Sequence, residues 1–223
     1  MHLLFDLDGT LSDSRPGIVR CFHHALIELG ADVPSESRLA RYIGSPLPIR
    51  DCFAEILQTA DIELVERAVT AYRNRFEPIG MFENQLYPGV EDALAVLGSS
   101  GARFHVVTAK PAVYARLIIR HFGIERHFSS VVGPGLEDNR FTKADLIHKA
   151  LSENEASPGD AIVIGDRAAD IIGARANGVR SIGVTWGYGE PEELAEADDV
   201  VDSWPELVIC LQGRPTMTLP ERR

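Results

Sequence analysis

Short apolar runs alternate with amphipathic stretches along most of this chain. Five β-rich runs stand out, at residues 2–6, 103–108, 130–133, 161–166 and 181–185. The stretches between them that place apolar residues at helical spacings of three and four are residues 91–97, 111–122, 143–151 and 168–176. Strands that alternate with amphipathic helices predict an α/β fold with a doubly wound parallel sheet, which binds its ligands at the carboxyl ends of the strands.

The stretch from residue 14 to about residue 80 departs from this alternation. Its apolar positions all follow helical spacing, and Gly and Pro residues mark the helix ends. We therefore expect a helical insert of residues 14–80, with bundle core rather than a binding groove along its apolar stripes, in an α/β core of residues 1–13 and 81–212. Because the insert follows the first strand, it should cover that strand's carboxyl end as a lid. Residues 213–223 are expected to form a flexible tail.

The first strand stops at two carboxylates. Asp6 and Asp8 flank Leu7 and are followed at once by Gly9 and Thr10. Because successive residues of a strand point to opposite faces, Leu7 can face the core while the two acids share a side. Two like charges this close repel each other unless a cation or a shared proton intervenes, which indicates a bound metal ion, an altered protonation state, or both. An Asx turn at the end of the strand is the structural alternative.

Charge and composition exclude several classes of partner. The chain of 223 residues has 33 acidic residues against 22 Lys and Arg, and its net charge of −11 argues against polynucleotide binding. No apolar stretch approaches the roughly 20 residues of a membrane span, and the chain opens on a core strand rather than a signal peptide. We therefore expect a cytoplasmic protein. Cys21, Cys52 and Cys210 are far apart and lack zinc-ligand spacing, so reduced, buried thiols are expected.

Four features, in this order along the chain, resemble the haloacid dehalogenase superfamily of phosphatases: Asp6–Leu11, Thr108 after a strand, Lys143, and Gly165–Asp170. The resemblance spans residues 2 to about 210 and includes the helical cap inserted after the first motif. Within the superfamily the chain is similar to the phosphoglycolate phosphatase branch, which segments 43–47 and 186–189 also resemble. Segments 107–111 and 133–138 are similar to nucleotidase-like relatives as well.

The resemblance implies phosphoryl transfer to a carboxylate. Asp6 would be the nucleophile that forms an aspartyl-phosphate, and Asp8 would protonate the leaving alcohol and then take a proton from the attacking water. Asp6, Asp166 and the backbone carbonyl of Asp8 would bind Mg²⁺, which prefers oxygen ligands. Asp170, one helical turn beyond Asp166, would contact the metal through water or orient its neighbours. The alternative for Asp166 and Asp170 is acid placement at a helix N-terminus.

Three further residues would bind the phosphate. Thr108 ends a strand, so its hydroxyl and the next backbone N–H, that of Ala109, can meet phosphate oxygens; a helix N-cap is the alternative. Ala109 stands where the family often has Asn, which removes a side-chain donor from the rim of the site. Lys143 begins a predicted helix, where a cation is unfavourable for the helix dipole, and a bound anion explains that placement better than stability does.

Substrate selection would depend on polar residues around the insert. The candidates are Arg15, Arg41, Ser45, Arg50 and Lys110. Surface cations are usually solvated, which is the alternative for the arginines and for Lys110. Aromatic residues after a strand usually pack, so we expect that role for the aromatic pair of segment 186–189 rather than a place at the rim of the site.

The combined hypothesis is a magnesium-dependent phosphatase that hydrolyses a small phosphomonoester through an aspartyl-phosphate. The resemblance makes phosphoglycolate the leading substrate and a nucleoside 5'-monophosphate the second. A sugar phosphomutase of the same fold and a phospho-acceptor switch similar to response-regulator receivers are the alternatives from other classes. The expected partner is a small phosphorylated metabolite, with no polynucleotide and no membrane, and the expected assembly is a monomer or homodimer.

Overall fold

A parallel β-sheet of six strands forms the centre of the protein. The computed structural model describes residues 1–45, 47–136 and 141–213. In chain order the strands are β1 (His2–Phe5), β4 (Arg103–Val107), β5 (Phe128–Val132), β6 (Ala161–Gly165), β7 (Arg180–Val184) and β8 (Asp199–Val201). Their spatial order is β5-β4-β1-β6-β7-β8, and every neighbouring pair is parallel. The predicted doubly wound α/β fold is confirmed.

Helices cover both faces of this sheet. They are α5 (Val90–Ser99), α6 (Ala112–His121), α7 (Lys143–Glu153), α8 (Ala168–Ala176) and α9 (Trp204–Leu211). Because successive strand residues face opposite ways, Leu4 of β1 joins an apolar cluster with α7 and α8, whereas Leu3 and Phe5 join a second cluster with α5, α6 and α9. The sheet is therefore buried on both faces, as a parallel sheet requires.

Four helices separate β1 from the rest of the sheet. They are α1 (Arg15–Glu28), α2 (Glu36–Ala40), α3 (Ile49–Leu57) and α4 (Ile62–Phe76), and together they are the helical insert of this protein. Aromatic rings of Phe22, Phe53 and Tyr72 pack at centroid distances of 5.1–6.0 Å in its core. A short 3₁₀ turn, Gly80–Phe82, follows.

The chain leaves and rejoins the α/β core at one place. Strand β2 (Ser12–Asp13), just before the insert, pairs in antiparallel fashion with β3 (Gln85–Leu86), just after it. Residues on both sides of the insert are thereby hydrogen-bonded to each other. This pairing keeps the insert next to the carboxyl end of β1.

Strand register aligns the ends of the three central strands. Phe5, the last residue of β1, lies opposite Val106 of β4 and Ile164 of β6. The residues that follow these strands therefore meet at one edge of the sheet, at the crevice where the strand order reverses. Asp6 continues this alignment, because its N–H donates to the Ile164 carbonyl at 2.9 Å.

The predictions on the cysteines, on membrane spans and on the C-terminal tail concern other parts of the chain. Cys21, Cys52 and Cys210 are buried free thiols, as expected. Among the described residues, no helix has the length and apolar character that crossing a bilayer would need. The predicted tail lies outside the described residues except for Gly213, and so does part of the nucleotidase-like segment 133–138.

Candidate active site

Each acid of the N-terminal pair has its own lysine. Lys143 Nζ lies 2.8 Å from Asp6 Oδ1, and Lys110 Nζ lies 2.8 Å from Asp8 Oδ2. All four side chains are less than one-tenth exposed. The alternative that Lys110 is simply solvated is therefore wrong. Its ammonium also lies 5.3 Å from the centre of the Phe76 ring, a cation–π distance.

Three carboxylates from three parts of the chain meet beside Lys143. Asp6 follows β1, Asp166 follows β6, and Asp170 lies in the first turn of α8; one oxygen from each lies within 4.8 Å of the others. Lys143 also contacts Asp170 Oδ1, at 2.7 Å. The side chain of Asp8 is not in this cluster. The predicted metal role of Asp8 concerned its backbone carbonyl, and that role stays a prediction.

The cluster is held in place by neighbouring donors. Asp166 Oδ1 accepts from the Thr10 hydroxyl at 3.0 Å, and Asp166 Oδ2 accepts from the Tyr188 N–H at 2.8 Å. Asp170 Oδ2 accepts from the Arg167 N–H at 3.1 Å, so Asp170 caps α8 in addition to facing Lys143. Asp166 lies before α8, and both of its carboxylate oxygens accept hydrogen bonds from residues outside that helix. Helix capping therefore does not explain the position of Asp166.

Burial makes the charged forms of these carboxylates energetically unfavourable. Desolvation raises the pKa of Asp6 to about 6; Lys143 opposes that rise and Asp170 adds to it. Desolvation together with the charges of Asp6 and Asp170 raises the pKa of Asp166 to about 8. Burial alone would lower the pKa of Lys143, but Asp170 and Asp6 raise it above its usual value. Three buried carboxylates beside one lysine leave a net negative charge, and their oxygens fit a hard divalent cation.

Close-packed glycines surround Asp166. A Cβ atom on Gly9, whose φ is +89°, would lie 2.2 Å from Asp166 Oδ2. A Cβ on Gly187 would lie 2.3 Å from Asp166 Cβ, and one on Gly189 would lie 1.9 Å from the Asp166 carbonyl oxygen. The indole of Trp186 donates to the Thr10 carbonyl at 3.0 Å. Segment 186–189 therefore supports Asp166, a role that was not predicted, although two glycines close together after a strand are a signal for close backbone approach.

The expected phosphate-binding residues lie just after β4 and at the start of α7. Thr108 follows β4 and is buried, and its hydroxyl accepts from the Lys110 N–H at 3.1 Å. Helix α6 begins only at Ala112, with Pro111 at its N-cap, so the N-cap alternative for Thr108 is wrong. Thr108 and Ala109 both line the cavity described next. Lys143 is the first residue of α7, as predicted.

A cavity of about 590 Å³ separates these polar groups from the helical insert. Asp6, Asp8, Thr108 and Lys143 line its polar end. Apolar and aromatic side chains line the side formed by the insert, among them Phe22, Tyr42, Leu47, Tyr72 and Phe76. Phe22, Tyr72 and Phe76 also belong to the buried apolar cluster. The apolar stripes of the insert therefore form bundle core, as expected, and part of the same surface lines a cavity.

The candidates for substrate selection divide into two groups. Ser45 and Lys110 line the cavity. Arg15, Arg41 and Arg50 are not among the described residues that line it. Arg15 instead lies over the Tyr188 ring at 5.1 Å, Arg50 is paired with Glu66, and Arg41 is exposed. Arg167 also lines the cavity and bonds to the insert, which sequence reasoning missed.

Residues 3–184 match the sequence model of the haloacid dehalogenase-like hydrolases, so the chain belongs to this family. Over 193 residues it is 41% identical to a 5'-nucleotidase from Pseudomonas aeruginosa, with 86% of each protein covered. It is 37% identical over 200 residues to the tyrosine-protein kinase PtkA from Mycobacterium tuberculosis, which covers 89% of this chain and 67% of that protein.

Other relatives are named for phosphatase activity. A phosphoglycolate phosphatase from Colwellia psychrerythraea is 27% identical over 217 residues, with 94% of this chain and 96% of that protein covered. The crystal structure of a predicted phosphatase from Clostridium acetobutylicum superposes with a TM-score of 0.85 at 38% identity, over 95% of this chain and 97% of that one. The chain is thus a phosphatase of the haloacid dehalogenase-like family, as the motifs predicted.

Proposed function

We propose that this phosphatase is magnesium-dependent and forms an aspartyl-phosphate on Asp6. The observation that carries the proposal is the cluster of Asp6, Asp166 and Asp170, buried at the end of the central strands beside Lys143. Asp6 and Asp166 would hold Mg²⁺, with Asp170 beside them. The bound cation would neutralise the charge of the cluster and of the phosphoryl oxygens.

The two acids would share the covalent chemistry. A carboxylate oxygen of Asp6 attacks phosphorus as the ester P–O bond breaks, and protonated Asp8 gives its proton to the leaving oxygen. Asp8 then takes a proton from water, whose oxygen attacks phosphorus and breaks the bond to Asp6. Asp8 Oδ1 is buried and has no hydrogen-bond partner among the described residues, while Oδ2 is held by Lys110. This leaves Oδ1 as the oxygen that exchanges the proton.

Phosphate binding would use the groups at the polar end of the cavity. Lys143 would pair with a phosphoryl oxygen as well as with Asp6, which fits its place between two carboxylates. The Thr108 hydroxyl and the Ala109 N–H would contact the remaining oxygens.

The leaving group in this proposal is a nucleoside. We propose that the helical insert forms a cap and that its aromatic side chains, Phe22, Tyr72 and Phe76 among them, contact the base. The volume of about 590 Å³ is in the range of ligand pockets for molecules larger than phosphoglycolate. The 41% identity to a 5'-nucleotidase favours the same class.

Phosphoglycolate is the second candidate. The motif resemblance of the chain and the relatives named phosphoglycolate phosphatase favour it. Its carboxylate would have to lie near the insert side of the cavity, which is mostly apolar, and burial of a charge there is costly unless Arg73 or Arg167, two guanidinium groups that line the cavity, turns to face it. This cost places it behind the nucleotides.

Comparative kinetics tests the substrate. We expect kcat/KM for nucleoside 5'-monophosphates to exceed that for phosphoglycolate by at least about tenfold, which corresponds to about 1.4 kcal/mol of transition-state binding. Chelation of divalent cations should abolish both activities, and added Mg²⁺ should restore them. A higher kcat/KM for phosphoglycolate would reverse the order of the candidates, and full activity after chelation would refute the metal dependence.

Replacement of Asp6 tests the chemistry. Asp6→Asn should lower kcat by at least about a thousandfold while the far-UV spectrum stays unchanged, because the amide is a poor nucleophile. The matched control is Asp32→Asn, an exposed acid in the insert. Acid quench during turnover, followed by peptide mass spectrometry, should locate a phosphoryl group on Asp6. Turnover by Asp6→Asn at the wild-type rate, or a phosphoryl group found elsewhere, would contradict the proposal.

A further inference from the structure

We infer that Arg167 is a positioning residue that holds the helical insert closed over the carboxylate cluster. Arg167 belongs to the α/β core, directly after Asp166 and before α8. Its Nε donates to Glu193 Oε2 at 2.9 Å, and its Nη1 donates to the carbonyl oxygen of Ile43 at 2.9 Å. Ile43 lies in the insert, between α2 and α3. One guanidinium group thus joins the core to the insert at the cavity wall.

The core side of this connection is rigid. Glu193 Oε2 also accepts from the Ala168 N–H at 3.1 Å, and Glu193 Oε1 accepts from the Glu190 N–H at 3.2 Å. The carboxylate that orients Arg167 is therefore fixed by backbone donors. Because the guanidinium is planar, fixing Nε also fixes the direction of Nη1.

The insert side is shaped to receive the arginine. Gly44 adopts a φ of +65°, and a Cβ atom built there would lie 3.7 Å from Arg167 Cγ, in ordinary contact. The aliphatic stem of Arg167 therefore packs against the backbone beside Ile43. The neighbouring residues Tyr42 and Ser45 line the cavity, so this contact determines where that wall of the cavity lies.

The same residue also touches the carboxylate cluster through its backbone, because the Arg167 N–H donates to Asp170 Oδ2. Substitution of the side chain leaves this backbone donor in place. Loss of the guanidinium should therefore free the insert without removing a donor from the cluster. If substrate binds to the closed form, its apparent affinity falls as the closed population falls, whereas saturating substrate restores closure.

The test is Arg167→Met, which keeps most of the aliphatic stem but removes all the donors. The matched control is Arg175→Met, because Arg175 lies on α8 and its ion pair with Glu196 is exposed. In the substrate-free protein, we expect hydrogen exchange in residues 36–45 to accelerate roughly tenfold in Arg167→Met only, as loss of one charge-assisted hydrogen bond implies. Exchange in α7 should match the wild type. Unchanged exchange in residues 36–45 would overturn the inference.

Kinetics gives a second readout, which rests on the proposed function. With the best phosphomonoester, KM should rise roughly tenfold while kcat stays within about twofold. A fall in kcat at constant KM would overturn the inference, because it would mean that Arg167 acts on the reacting groups. The exchange experiment needs no substrate, so it decides the role of Arg167 even if the proposed substrates fail.

Two further variants test whether a positive charge alone is sufficient and provide a measurement if Arg167→Met does not fold. Arg167→Lys keeps the positive charge but has one ammonium in place of the fork, so it should exchange almost as fast as Arg167→Met. Wild-type exchange in Arg167→Lys would show that charge alone is sufficient and would overturn the two-contact geometry. If Arg167→Met does not fold, Glu193→Gln, which weakens the fixed end of the connection, should show the same acceleration in residues 36–45, and normal exchange there would overturn the inference.

Discussion

At the scale of single residues, the site is organised by two lysines that serve different acids. Lys143 bridges Asp6 and Asp170, whereas Lys110 contacts Asp8. Two acids separated by one residue therefore have different electrostatic surroundings. This separation suits the roles proposed above, in which Asp6 attacks as a carboxylate and Asp8 exchanges a proton.

Magnesium should stabilise the folded protein through this cluster. At a concentration of one hundred times its Kd, Mg²⁺ should raise the free energy of unfolding by about 2.7 kcal/mol, because it binds the native state only. Asp166→Asn should lose most of this gain, since it removes one of three converging carboxylates. Urea unfolding with and without Mg²⁺ measures the effect, with Asp32→Asn as the control. Equal stabilisation of Asp166→Asn and wild type would show that the metal binds elsewhere.

Sequence order was sufficient to predict some of these residues but not others. Asp6, Thr108 and Asp166 follow predicted strands, and the carboxyl ends of parallel strands meet, so their convergence follows from topology. The contacts of Lys110 and Arg167 could not be predicted, because they depend on side chains that reach across to distant segments. Neither the Asp8 contact nor the Ile43 contact leaves a local pattern in the sequence.

At the scale of elements, tight turns position the carboxylates. The turn after β1 requires a positive φ at Gly9, and the Gly9 N–H donates to the Ser12 carbonyl at 2.9 Å. The same turn brings the Thr10 hydroxyl to Asp166. The loop after β7 approaches Asp166 from another side through Gly187. Backbone without side chains thus allows two segments of the chain to approach one buried acid closely.

Two glycines with positive φ, Gly9 and Gly30, allow us to test whether the close approach of Gly9 to Asp166 requires the absence of a side chain. Gly9→Ala and Gly30→Ala each place a Cβ at positive φ, which costs about 1 kcal/mol of unfolding free energy. Only the Gly9 Cβ meets Asp166; a Cβ on Gly30 has no atom within 4 Å among the described residues. Gly9→Ala should therefore also weaken Mg²⁺ binding, by at least about tenfold, while Gly30→Ala should not. Titration of Mg²⁺ against protein stability compares them, and equal affinities would contradict the steric argument.

Most strands of the sheet could be predicted from the hydrophobic pattern of the sequence. The strands that could not be predicted are short. The five predicted strands correspond to β1, β4, β5, β6 and β7. Strand β8 was not predicted because it has three residues and begins with an acid, Asp199, so it offers no alternation to detect. Strands β2 and β3 have two residues each and depend on pairing between distant segments.

At the scale of the whole molecule, stability against acid should depend on an imidazole pair at the amino end of the sheet. His105 is 1% exposed, its Nε2 lies 3.0 Å from His2 Nδ1, and its Nδ1 lies 2.9 Å from the Ser130 hydroxyl. Burial, with a smaller contribution from the charge of His2, lowers the pKa of His105 to about 4. Between pH 6.5 and 4 the unfolded chain therefore binds a proton that the native state does not.

This difference predicts a pH dependence of the free energy of unfolding. Because the native pKa lies below the unfolded one, the contribution of His105 is fully present above pH 6.5 and is lost as the pH falls, by about 2 kcal/mol between pH 7 and pH 5. His105→Asn should flatten this slope, whereas His148→Asn, at an exposed position, should not. Urea unfolding across this range measures it. The same slope in His105→Asn as in wild type would assign the acid sensitivity to other groups.

The pairing of β2 with β3 determines where the α/β core could accept a different helical insert. Ser12 and Leu86 are direct partners, so their Cα atoms lie only about 5 Å apart. A tight hairpin turn could join the two strands without displacing either, and the α/β body would keep its chain path with the four helices removed. Such a junction suits inserts of different lengths, because the strand pair already holds the two ends of the insert together. Helical inserts of different size and shape could therefore occupy this point while the carboxylate cluster at the edge of the sheet stays in place.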